Sequence, residues 1–141
     1  MLRRLRRVRA AVLGPRRAAV SQELQDFLRV ARQSFVQMQA AWDRADLLAL
    51  GVLATEPLLA ELREQLALRG PGPNRTEVLE LEARLLVLEE MREAYVASVE
   101  FSGLIRERSD HAPEPFRELW LLANLKSAAR GWQLTRVQPL F

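Results

Sequence analysis

Cysteine is absent from the 141 residues, and histidine, tyrosine and lysine occur once each, as His111, Tyr95 and Lys126. Without cysteine there are no disulfides and no thiolate metal ligands. One histidine, with no carboxylates at ligand spacing, leaves no metal site and no cofactor to expect. No glycine-rich, phosphate-cradling loop follows a strand-like run. Long apolar runs are missing too. The longest, such as LLALGVLA over 47–54, fall far short of the roughly 20 residues that a membrane-spanning helix needs. Any bilayer contact expected from this sequence is peripheral.

Acidic residues are missing from one place in particular, the first twenty positions. MLRRLRRVRAAVLGPRR (1–17) holds Arg3, Arg4, Arg6, Arg7, Arg9, Arg16 and Arg17 and no carboxylate. Residues 1–20 therefore carry +7, and subtracting this from the net +3 leaves −4 for residues 21–141. A basic head ahead of a mildly acidic body predicts two units with separate partners: an arm over 1–20 and a domain over 21–141. Met1, Leu5, Val8 and Val12 recur at spacings of four, three and four, which predicts an amphipathic helix flanked by arginine. Gly14 and Pro15 are expected to break it.

The remaining composition is that of a folded domain, 49% hydrophobic and 28% charged. Ser21 is a candidate N-cap, and Leu24, Leu28, Ala31, Phe35, Met38 and Trp42 then step along one helical face. Asp46 caps a second helix carrying Leu47, Leu50 and Leu53. Thr55 caps a third, with Pro57 in its first turn and Leu59, Leu62 and Leu66 behind it. After RGPGPNR (69–75) the pattern changes. AYVASVEFSGLIRE (94–107) alternates with period two, placing Tyr95, Ala97, Val99, Phe101 and Gly103 on one face. PFRELWLLANLK (115–126) and GWQLTRVQPL (131–140) also read as strands. TEVLELEARLLVLEEM (76–91) suits a helix or a strand; among strands it is expected to be a long, bent one. Helices followed by strands joined by short loops give an α+β fold, with helices packed on a curved four-stranded antiparallel sheet.

The segments WDRADLLAL (42–50), NRTEV (74–78), VEFSGLIRE (99–107), APEPFRELW (112–120) and GWQLTRVQ (131–138) together resemble the Tim44-like domain family. The resemblance runs from about residue 24 to 138. This family includes the C-terminal domain of the peripheral subunit that tethers the import motor to the mitochondrial inner membrane, and it has bacterial counterparts. It implies a cone-shaped fold like that of nuclear transport factor two, with an apolar pocket. It also implies membrane-peripheral scaffolding without catalysis. Two features depart from the family pattern. Pro139 stands where a second glutamine is common, implying an early end to the last strand, and LLANLKS (121–127) lacks a basic or proline-bearing hairpin. A membrane anchor ahead of the domain, common in bacterial members, is not found.

Catalysis has weak candidates. Asp26, Asp43, Asp46 and Asp110 read as capping or solvated residues, and His111 as a turn residue in SDHAPEP. Tyr95 reads as core. Glu118, beside Trp120 in a strand, is the carboxylate whose environment would most alter its chemistry. Asn74-Arg75-Thr76 matches a glycosylation acceptor, but Asn74 reads better as a turn residue. No catalytic residue is assigned and no enzyme is expected. For the implied pocket the candidate lining is Phe35, Trp42, Tyr95, Phe101, Phe116, Trp120 and Trp132, with ordinary core packing as the competing reading.

The head has three readings. Its arginines suit a transit peptide, although the usual serine is missing. They suit a ribosome- or RNA-binding arm, although no aromatic residue is interleaved for base stacking. The apolar stripe favours the third, a lipid-binding element. In that reading Leu5, Val8 and Val12 enter the interface while Arg3, Arg4, Arg6, Arg7, Arg9, Arg16 and Arg17 meet anionic headgroups. The expected function is a peripheral membrane scaffold in protein translocation or membrane-protein assembly, holding a partner protein or lipid. The expected location is the bacterial inner membrane, because the arginine- and alanine-rich, lysine-poor composition suits a GC-rich genome. The matrix side of the mitochondrial inner membrane is the alternative.

Overall fold

The computed structural model describes residues 2–6, 15–70, 75–107 and 110–140. In chain order the elements are β1 (Leu2–Arg6), α1 (Pro15–Asp43), α2 (Leu47–Leu53), α3 (Glu56–Arg69), β2 (Glu77–Met91), β3 (Ala94–Arg106), β4 (Glu114–Leu125) and β5 (Trp132–Pro139). The sheet is antiparallel throughout, in the order β1-β2-β3-β4-β5. Three helices ahead of four long antiparallel strands make the α+β arrangement that the sequence pattern implies.

The stripe along α1 is core. Leu28, Ala31, Phe35 and Met38 are buried, and Ala31, Phe35 and Met38 share one core cluster with Ala97, Val99 and Phe101 of β3, Phe116, Trp120 and Leu122 of β4, and Leu134 of β5. The centre is aromatic. The Phe35 ring lies 4.9 Å from Phe101, 5.3 Å from Phe116 and 5.0 Å from Trp120, centroid to centroid. Burying four such rings supplies a large share of the hydrophobic drive, because each removes roughly 150–250 Å² from water.

The expected start of α1 is corrected. Pro15 opens the helix instead of breaking one, and Ser21 is an exposed residue inside it. Proline suits a first helical position, since its missing N–H would have no intrahelical acceptor there. At the other end α1 stops at Asp43, and two residues on Ala45 is held at φ +53°. Asp46 then caps α2 as its spacing suggests, its Oδ1 accepting from the Ala49 N–H at 3.1 Å. Thr55 occupies the N-cap position of α3, but its hydroxyl turns to Thr135 Oγ1 at 3.4 Å. The Thr55 N–H donates to the Leu134 carbonyl at 2.9 Å, so the α2–α3 junction covers the free edge of β5 at that one position.

Residues 77–91 form the long strand, bent by register shifts between Val78 and Glu80 and between Leu85 and Val87. At the first, Leu79 is the extra residue of a bulge. The last strand does not end early: Pro139 faces Glu118 in the ladder, and the Leu140 N–H donates to the Arg117 carbonyl at 2.9 Å. Proline is tolerated because β5 is an edge strand, where an N–H turned to solvent is dispensable.

The head departs most from expectation. Leu2–Arg6 is a strand, not a turn of amphipathic helix, and pairs with β2 in the register Leu2↔Met91, Arg3↔Glu90, Arg4↔Glu89 and Arg6↔Leu88. The physical reason is local competition. A short isolated helix is marginal in water, whereas the far end of β2 offers unsatisfied backbone groups and two glutamates opposite two arginine positions. Val8 and Val12 lie outside the described residues.

Candidate functional site

No described residue set resembles a catalytic constellation. Asp26 accepts from Gln22 and Arg29, Asp46 caps α2, and Asp110 and His111 are exposed. Glu118 sits on the inner face of β4, where its Oε1 accepts from the Trp120 indole N–H at 2.9 Å. Tyr95 lies toward the far end of β3, with the Lys126 ammonium 4.8 Å from its ring centroid. Among the described residues no group of three or more His, Asp or Glu could hold a metal ion. No helix among them is long and apolar enough to cross a membrane.

The seven aromatic pocket candidates do not converge on one cavity. Phe35, Phe101 and Phe116 are consumed by the core stack. Trp132 packs edge-on against Phe27 at 5.2 Å. Trp42 and Trp120 do line a common recess of about 220 Å³, together with Glu118, Gln39, Gln65 and Val137. Trp42 is fixed from behind by Arg69, whose guanidinium stacks 5.3 Å from the ring centroid and donates to the Trp42 carbonyl at 2.6 Å. The recess is amphipathic: two indole walls, two amides and one carboxylate.

A larger groove of about 570 Å³ runs between the C-terminal half of α1 and the first half of β2. Val36, Ala40, Val78, Leu79 and Leu81 supply its apolar surface, and Gln39, Asp43, Arg44, Arg75 and Thr76 its polar one. Asp43 fixes the geometry. Its two carboxylate oxygens accept from the Thr76 N–H at 2.6 Å and the Thr76 hydroxyl at 3.0 Å, tying the end of α1 to the start of β2. A third hollow, beside α2, shares Ala40 and Arg44 with this groove.

The family comparison agrees with this architecture. A family model described as the Tim44-like domain matches residues 16–139. The chain belongs to the Tim44-like domain family. The match covers nearly the whole chain, leaving out most of the basic head, and spans all three helices and the four long strands. No curated protein matches the chain.

Within the Tim44-like frame, the sequence pattern did not show that these residues share one groove. Val36 falls off the α1 stripe and looks like a stray surface valine. Leu79 reaches the groove through a bulge, which periodicity cannot show. The pairing of Asp43 with Thr76 joins residues 33 positions apart, beyond the reach of any local signal.

Proposed function

We propose that this Tim44-like protein is a non-enzymatic peripheral membrane scaffold for protein translocation or membrane-protein assembly, placed at the bacterial inner membrane. Its basic head holds anionic lipid and its α+β domain holds a partner protein. The observation that carries this reading is the charge division: +7 over residues 1–20 ahead of a body at −4. Family membership supports a membrane-associated role. The hydrogen bonds that Asp26, Asp43 and Asp46 accept support a structural role for these groups over a chemical one.

The strand at Leu2–Arg6 alters how the head would work. Arg3 and Arg4 take ladder positions opposite Glu90 and Glu89, and in this reading the charge for lipid is assigned chiefly to Arg6, Arg7, Arg9, Arg16 and Arg17. Arg16 and Arg17 follow Pro15 in the first turn of α1, which contains no acidic residue. A helix N-terminus already favours anions, and basic residues there add to that attraction. Each cation near an anionic surface contributes about 1 kcal/mol, so five act together as a strong electrostatic hold without any apolar insertion.

The test is vesicle flotation of the full chain against Arg7→Gln/Arg9→Gln/Arg16→Gln/Arg17→Gln, on phosphatidylcholine vesicles with and without cardiolipin. The intact head should bind only cardiolipin vesicles and release at high salt, where the screening length falls from about 10 Å to about 3 Å. The neutralised variant should stay in solution. Equal flotation of both proteins would sink the proposal. A ribosome- or RNA-binding arm is the second reading, favoured by the same strand, because the apolar stripe that distinguishes a lipid helix does not form over Leu2–Arg6. Salt-sensitive binding to RNA without binding to cardiolipin would decide for it.

A further inference from the structure

The groove between α1 and β2 is apolar where it is open and cationic where it is charged. Val36 and Leu79 are 48% and 42% exposed, far more than aliphatic side chains in the neighbouring core. Leu79 is there because the β2 bulge swings it out of the ladder, and bulges commonly re-aim a side chain beside a functional surface. The single carboxylate in the lining, Asp43, is spent on Thr76 through both oxygens. The two arginines are not spent. Arg44 reaches Asp46 only at 3.6 Å, with its side chain 63% exposed, a contact of little energetic weight. Arg75 is exposed and makes no ion pair with a described residue. Gln39 adds an amide able to donate to or accept from a peptide backbone.

The occupant that fits this surface carries apolar side chains beside negative charge. A bilayer would need the apolar atoms on a convex tip, but here they line a concavity between a helix and a strand. The arginine head of a second copy would meet Arg44 and Arg75 with like charge. We propose that the α1–β2 groove docks a segment of a partner protein bearing an aliphatic or aromatic side chain next to one or two carboxylates. This rests on the scaffold reading and gives it a protein-side contact. The apolar side chain lies against Val36, Leu79 and Leu81, and the carboxylates meet the guanidinium groups of Arg44 and Arg75. Arginine is the residue suited to that role, because its planar fork matches a carboxylate.

The test is selection of a phage-displayed library of random linear dodecapeptides on the full chain, followed by fluorescence polarisation with the enriched peptides. The expected sequences carry Asp or Glu beside Leu, Ile, Phe or Trp. Arg44→Glu with Arg75→Glu should weaken their binding about tenfold or more, and Val36→Asp should do the same. Each variant should keep the parental circular dichroism spectrum, since all three positions are exposed. Replacing the peptide's acids by lysine should restore binding to the charge-reversed protein. The proposal is overturned if no peptide is enriched, if acids are not enriched, or if binding survives charge reversal. It is also overturned if the reversal removes binding to cardiolipin vesicles instead of peptides, which would make the groove a lipid contact. Flotation of the head variant reads the lipid half separately. Peptide binding in a chain that ignores vesicles would sink the membrane reading and leave the docking site standing.

Discussion

Gly103 is the position where one methyl group should do the most damage. It lies on β3 opposite Leu81, just past the bulge that carries Leu79 into the groove, and its φ is +154°. A Cβ built there would stand 1.9 Å from the Glu80 carbonyl oxygen and 2.6 Å from its carbon, where real Cβ contacts essentially never fall under 3.0 Å. The obstacle is backbone, so no side-chain rotation relieves it and β2 must move away. The positive φ costs a non-glycine residue about 1–3 kcal/mol, and crowding of a packed site about 1–3 kcal/mol more. Gly103→Ala should therefore lose about 2–6 kcal/mol. At roughly 2–4 °C per kcal/mol for a chain near this length, its Tm should fall by about 4–24 °C. Thermal unfolding followed by circular dichroism measures this, with Gly131→Ala as the control. Gly131 also has positive φ, at +69°, but a Cβ there would meet nothing within 4 Å, so that variant should show the conformational cost alone. Equal losses in the two variants, or a Gly103→Ala protein melting with the parent, would refute the close approach of β2 and β3.

Two further predictions concern the joints that hold the helices to the sheet. Gln133 is 5% exposed and its amide donates to the Val52 and Ala54 carbonyls at 3.2 and 3.5 Å. Gln133→Ala leaves these carbonyls short of a donor, so chemical denaturation should show a loss of about 1–3 kcal/mol, and an unchanged midpoint would discount the bond. Ala45, two residues past the end of α1, lies in the left-handed region at φ +53°, a conformation that costs a residue with a Cβ about 1–2 kcal/mol. Ala45→Gly should raise stability by about 0.5–1 kcal/mol after the extra unfolded-state entropy of glycine, and a lowered Tm would contradict the assigned conformation.

The parts legible in the sequence are those governed by local periodicity and caps. The spacing of Leu28, Ala31, Phe35 and Met38 gave the buried face of α1, because a 3.6-residue repeat depends on nothing outside the helix. Asp46 announced the start of α2 through its own side chain, and the period-two run through Val99 and Phe101 marked a strand half covered by helices. Even the ambiguous 76–91 yielded to context, since a lone apolar segment after three helices and before three strands is most economically paired with those strands.

The head and the groove were not legible, for one shared reason. A stripe at Met1, Leu5 and Val8 states what a helix would look like if it formed. It cannot state that the edge of β2, some 85 residues away, offers Leu2–Arg6 a ladder and puts glutamates opposite Arg3 and Arg4. Nor does the sequence around Val36 or Leu79 show that a bulge and the Asp43–Thr76 tie bring them to one groove beside Arg44 and Arg75. Composition alone determined the division of charge between arm and domain, because charge is a sum over residues and needs no coordinates. Tertiary structure decided which of those charges face each other and which remain available, because that depends on contacts between distant segments.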